Sequence, residues 1–186
     1  CASINEVVIH GIPSSKQILK DGDIISIDIG ANYKGYHGDC ARTWPCGNVK
    51  SDRLKLIEVT EQSFFEGLKY AHPGNRLSDI SHAIEMYAKK FNYGVVRDFT
   101  GHGVGSKLHE DPAVPNYGKE GMGPVLRKGM TLAIEPMINM GTYKVKILAD
   151  GWTTITSDHS PSAHYENSIV ITDNGYEILT KIKEND

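Results

Sequence analysis

Two aspartates, Asp28 and Asp39, sit in adjoining strand-like runs on either side of a glycine-containing turn, in the segment IDIGANYKGYHGD. Residues 24–30 and 36–42 read as strands. A hairpin centred between Tyr33 and Lys34 pairs positions whose numbers sum to 67, which sets Asp28 opposite Asp39. Directly opposed residues carry Cβ atoms roughly 4.5–5.5 Å apart. Two carboxylates that close repel each other, and a strand carrying Ile24, Ile25, Ile27 and Ile29 offers little water to relieve the cost. A divalent cation would relieve it. Taken alone, the pair reads equally well as turn-flanking acids, since Asp beside Gly is common in turns.

Three further candidate ligands follow: His102 in GHGVG, Glu135 in AIEP and Glu166 in HYEN. His102 is bracketed by Gly101 and Gly103, which leaves its backbone free for conformations that bulky residues resist. Glu135 ends the apolar stretch MTLAIEP, and Glu166 opens the run Ser168–Ile171. Isolated charges in such places need a metal or a basic partner. Four carboxylates and one imidazole carry enough negative charge for two divalent ions, and a carboxylate can bridge both. His109, in LHEDP, is not in the helical HExxH arrangement and need not be a ligand. An imidazole beside metals could donate to a developing oxyanion, and His10, in VVIHGIP, could act from the opposite wall. The other histidines, His37, His72, His82, His159 and His164, read as structural or surface groups.

A chain of 186 residues suits one domain. Its architecture reads as α+β. Ser51 can cap a helix carrying Leu54, Ile57, Phe64 and Leu68, ended by His72-Pro73-Gly74. A second helix has Ile80, Ile84, Tyr87 and Phe91 at helical spacing and stops near Asn92-Tyr93-Gly94. Strands are expected over 95–100, 130–137, 144–148, 152–157, 164–172 and 176–179. Cys1, Cys40 and Cys46, without CxxC spacing, argue for reduced thiols, a reducing compartment and hence the cytoplasm. No apolar run is long enough to span a membrane, and CASINEVVIH is not a signal peptide. A net charge of −3 without a basic block argues against nucleic acid as a partner.

The ordered series Asp28, Asp39, His102, Glu135, Glu166, set in HGIP, GHGVG, HEDP, IEPM, DGWTT and YENSIVITDNG, resembles the type I methionine aminopeptidases nearly end to end. The resemblance implies a pita-bread fold, two similar αβ halves around a dinuclear centre that takes Mn, Fe, Co or Zn. It implies that Asp39 and Glu166 bridge the metals, that Asp28 chelates one, and that His102 and Glu135 complete the other. The implied reaction removes an N-terminal methionine from peptides and nascent proteins when the next residue is small, by metal-activated hydroxide attack. Glu135 would shuttle the proton, His109 and His10 would contact the substrate amide or the tetrahedral intermediate, and Cys1, His10 and Trp152 would line the methionine pocket.

The family also carries an N-terminal helical segment ahead of the point where this chain begins, so residues 1–186 are expected to be a catalytic domain without it. The expected partners are nascent polypeptides, with the ribosome as a candidate and the working form a monomer. Two rival functions remain open. One is an Xaa-Pro aminopeptidase of the same fold, against which the HGIP, HEDP and DGWT contexts speak; the other is a pita-bread protein that binds partners without catalysis.

Overall fold

The computed structural model describes residues 1–181. The chain begins with β1 (Ala2–Ile4) and β2 (Val7–Ile9), then the long hairpin of β3 (Ile24–Tyr33) and β4 (Tyr36–Pro45). Two helices follow, α1 (Ser51–Leu68) and α2 (Leu77–Lys89). The remainder is strand: β5 (Gly94–Val95), β6 (Gly101–Gly103), β7 (Glu110–Val114), β8 (Thr131–Ile134), β9 (Met137–Asn139), β10 (Val145–Ile147), β11 (Thr154–Thr156), β12 (Ser162–His164), β13 (Glu166–Ile171) and β14 (Tyr176–Ile178). The main sheet runs β1-β3-β4-β13-β8-β6-β7, with β14 paired to β13, and two three-stranded sheets, β10-β11-β2 and β12-β9-β5, adjoin it.

The register of the long hairpin differs from the expected one. Partners sum to 69, so Tyr33 faces Tyr36, Asp28 faces Ala41 and Gly30 faces Asp39. The turn decides this: Lys34 and Gly35 have φ of 51° and 85°, the left-handed pair that a two-residue type I′ connection requires. A slip of two positions keeps every side chain on its face. Asp28 and Asp39 are therefore diagonal neighbours on one face, not directly opposed. Ile27 and Ile29 lie on the other face and are exposed, so they do not dry the surroundings of Asp28, which is itself half-buried.

The helices cover one face of the main sheet. Phe64, Leu68, Ile80 and Ile84 pack on Leu132 and Ile134 of β8 and on Ile169 and Ile171 of β13. Gly67 permits the helices to meet, since a Cβ there would lie 2.8 Å from Ile84 Cγ1. Burying about four such apolar side chains contributes roughly 6–12 kcal/mol, less the share already buried in a compact unfolded chain. Alternation along β8 and β13 then leaves Ala133, Glu166 and Ser168 on the opposite face. That face holds the site.

Several local expectations are corrected. Ser51 is the first helical residue rather than the cap; Lys50 holds the cap position with no side-chain bond. Leu54 is exposed, and Leu56 and Val59 are buried in its place. The strand expected over 95–100 is reduced to β5, and the one over 130–137 breaks at Glu135-Pro136, where proline has no N–H to donate. The strands β6 and β7 arise in glycine- and charge-rich segments that show no apolar alternation.

Candidate metal centre

Five adjacent strands deliver the five sequence-predicted ligands to one face. Asp28 comes from β3, Asp39 from β4, Glu166 from β13, Glu135 from the end of β8 and His102 from β6. Register fixes their neighbourhood: Ala41 lies between Asp28 and Glu166, and His102 pairs with Ala133, two residues before Glu135. Gly101 and Gly103 serve close approach rather than unusual backbone angles. A Cβ on Gly101 would meet Ala133 O at 2.3 Å, and one on Gly103 would meet Asp111 O at 2.3 Å. Only glycine allows β6 to lie between its neighbours there.

The ligand atoms converge. One oxygen each of Asp39 and Glu166 and one nitrogen of His102 lie within 4.8 Å of one another. His102 Nε2 is 3.9 Å from Asp39 Oδ2 and 3.5 Å from Glu135 Oε1. His102 Nδ1 is engaged at 2.8 Å with the carbonyl of Gly103, which assigns the proton to Nδ1 and leaves Nε2 free to ligate. Glu135 is anchored from behind, its backbone carbonyl accepting from Asn116 Nδ2 at 3.0 Å.

This cluster is costly without a counter-charge. Burial, reinforced by Asp28 and Glu135, pushes the Asp39 carboxyl up to about 6. Burial and the three neighbouring carboxylates hold Glu166 well above the usual carboxylate range. Buried Asp39 Oδ1 and Glu166 Oε1 have no hydrogen-bond partner among the described residues. Orphaned buried oxygens that no lysine or arginine pairs with among the described residues fit divalent metal ions, which relieve both the repulsion and the unmet hydrogen-bonding capacity.

The other predicted site residues ring this cluster. Cys1 extends β1 beside Asp28: its backbone nitrogen donates to the Asp28 carbonyl at 2.7 Å, and its own carbonyl accepts from the Asp28 N–H at 3.2 Å. His109 meets His102 edge to face, with ring centroids 4.3 Å apart. The His10 ring stacks on Trp152 at 4.2 Å and meets the edge of Phe99 at 5.7 Å. His10 holds a φ of 62°, a left-handed strain of roughly 1–2 kcal/mol kept where it aims the ring. Burial lowers the His10 imidazole below its ordinary value. A groove of about 660 Å³ runs from His102 and His109 past Ser106, Lys107 and Ala113.

One further histidine joins the cluster. His164, expected to be structural or on the surface, is buried within the cluster, with Nε2 3.5 Å from Glu135 Oε2. A signal for it exists: His164 and Glu166 are two apart in an extended run, so alternation puts both on one face.

An antiparallel sheet that lines up four carboxylates and an imidazole on one face defines a metal-dependent hydrolase of the pita-bread type. The model of metallopeptidase family M24 matches residues 1–173. The chain belongs to metallopeptidase family M24, and within it groups with the methionine aminopeptidases. Methionine aminopeptidase of Clostridium acetobutylicum is 58% identical over 180 residues, 97% of this chain and 72% of its own length. The crystal structure of methionine aminopeptidase from Thermotoga maritima superposes with a TM-score of 0.96 at 49% identity, covering 98% of this chain and 73% of that one. A prolidase from Pyrococcus horikoshii shares the fold at a TM-score of 0.72 and 26% identity, over 98% of this chain and 48% of its own. Among the described residues no helix is long and apolar enough to cross a membrane.

Proposed function

We propose that this chain hydrolyses the first peptide bond of polypeptides that begin with methionine and carry a small second residue, using two divalent ions. Asp28, Asp39, His102, Glu135 and Glu166 would hold the ions, with Asp39 and Glu166 shared between them. The observation that carries this reading is the set of orphaned, mutually repelling ligand oxygens beside His102 Nε2. When bound, such ions supply a nucleophilic water at neutral pH, polarise the scissile carbonyl and fix a free α-amine.

The chain's own groups then have distinct tasks. Glu135, half-buried among imidazoles, takes a proton from the attacking water and returns it to the leaving amine. His109 donates to the carbonyl oxygen as negative charge builds there. His10, whose imidazole burial holds below its ordinary value, faces the substrate amide from the wall it shares with Trp152. The His10–Trp152 stack and Cys1 offer polarisable walls to a thioether. The groove beyond His109 takes the rest of the peptide. In this reading the chain works as a monomer in the cytoplasm on nascent chains at the ribosome; a reducing compartment fits its free cysteines.

The test is methionine release from Met-Gly-Met by the chain after metal stripping and re-addition of Mn, Co, Fe or Zn. Release that depends on the added ion is expected. A chain that binds two ions and releases nothing, or one that cleaves only Xaa-Pro bonds, would defeat the reading.

A further inference from the structure

We propose that His164 is a sixth metal-ligating residue, which binds through Nε2 the ion that Glu135 and Glu166 hold. The inference rests on the metal reading above but adds a ligand that the five-residue set does not include.

Geometry supports it first. One ligand atom each of Glu135, His164 and Glu166 lies within 4.8 Å of the others, a second convergent triad that shares Glu166 with the first. His164 Nε2 stands 3.5 Å from Glu135 Oε2, outside the range of an ordinary N–H···O bond. It is, however, the separation expected of two donors on one ion, since metal–donor lengths of about 2.1 Å at a tetrahedral angle place the donors about 3.4 Å apart. Glu135 thus faces His102 with one oxygen and His164 with the other, at 3.5 Å in each case.

Burial supports it second. His164 is 2% exposed, and its Nε2 has no partner among the described residues. A buried, unmet imidazole nitrogen aimed at two carboxylates is unfavourable unless something joins them.

Positioning supports it third. Thr43 Oγ1 accepts from the His164 N–H at 2.8 Å and donates to the His164 carbonyl at 2.9 Å. Ser26, from β3, adds a bond to the same hydroxyl at 2.8 Å. The backbone of His164 is therefore pinned to β4, the strand that carries Asp39. A further nitrogen donor would also bias the centre toward Co and Zn and away from Mn, because imidazole raises affinity along the Irving–Williams order more than carboxylate does.

The test counts imidazoles on the metal. X-ray absorption of the zinc-loaded chain should show two imidazole nitrogens per chain, falling to one in His164→Gln and to one in His102→Gln. His164→Gln should also lose zinc affinity at least about tenfold while losing less for Mn. To remove dependence on a variant's folding, the wild-type chain labelled with nitrogen-15 in histidine and loaded with cadmium-113 should show two imidazoles coupled to metal. One coupled imidazole in the wild-type chain, or an equal count in wild type and His164→Gln, overturns the proposal. Failure of the wild-type chain to bind metal at all overturns the metal reading itself, and this inference with it.

Discussion

Ser168 grips the backbone of Asp39 from both sides, its hydroxyl accepting from the Asp39 N–H at 2.9 Å and donating to the Asp39 carbonyl at 3.1 Å. The ladder between β4 and β13 pairs positions summing to 207, Glu166 with Ala41 and Asn167 with Cys40, so Ser168 falls opposite Asp39. The hydroxyl takes over where the ladder stops. Thr43 and His164 repeat the arrangement at the other end of the same register. Two hydroxyl staples thus fix the strand that carries Asp39, one to β13, which carries Glu166, and one to the end of β12 just before it. Ser168→Ala leaves two buried backbone groups of Asp39 without a partner. It is expected to cost about 1–3 kcal/mol of stability and to weaken metal binding roughly tenfold or more. Thermal melting and calorimetric titration of the stripped chain check this. Unchanged metal affinity would show that the staple serves stability alone.

The stripped chain should lose stability as the pH rises through the range where most proteins gain it. Asp39 keeps its proton to about 6 in the folded chain, against 3.8 when unfolded. Between those values the folded state binds more protons than the unfolded one, so the group favours folding least above the folded value and does no harm below the unfolded one. Its cost at neutral pH is on the order of 3 kcal/mol, and Glu166 acts in the same direction. Asp39→Asn removes that charge without changing shape. The melting point of the metal-free variant, relative to metal-free wild type, should rise by several degrees between about pH 4.5 and about pH 7.5. Metal should rescue the wild type and not the variant. A difference between them that does not vary with pH would refute the burden assigned to Asp39.

His102 and His109 touch, yet their substitutions should separate binding from turnover. His102 presents Nε2 to Asp39 and Glu135, so His102→Ala should lose metal. His109 lines the groove behind it and is not in either convergent triad. His109→Ala should keep both ions and lose roughly 10²–10³-fold in kcat, the usual effect of removing one oxyanion donor. Metal counts on the two purified variants, set beside their methionine release, decide the matter. Loss of metal in His109→Ala would make it a ligand.

The site is more legible in the sequence than the scaffold that aims it. Acids embedded in apolar strands announce themselves, because Glu135 beside Ile134 and Glu166 ahead of Ser168 each call for a metal or a basic partner. The hairpin register is harder to place because its turn depends on the left-handed backbone of Lys34, a residue that rarely signals it. The strand β6 is invisible because its flanking glycines carry no pattern; their reason lies in the Ala133 and Asp111 carbonyls across the sheet. His164 carries only the faint signal of its two-residue spacing from Glu166, and it gains weight when Glu135, far off in sequence, arrives 3.5 Å away.

Two glycines should therefore respond to the same substitution in different ways. Gly35 has a φ of +85°, and no atom lies within 4 Å of the position a methyl would take, so Gly35→Ala meets only backbone strain. It should cost about 1 kcal/mol and leave metal affinity unchanged, since the turn itself carries no candidate ligand and the ladder beyond it keeps its register. Gly101 has an ordinary φ, but its added Cβ would lie 2.3 Å from Ala133 O and 3.2 Å from Val114 Cβ. The strand β6 must then move from β8, and His102 moves with it. Gly101→Ala should cost more than Gly35→Ala, on the order of 1–3 kcal/mol, and should weaken metal binding although no ligand has been altered. Titration of both stripped variants with zinc separates the cases. Equal affinities would mean that β6 accommodates the methyl without displacing His102, and that the glycine bracket is not what sets the ligand.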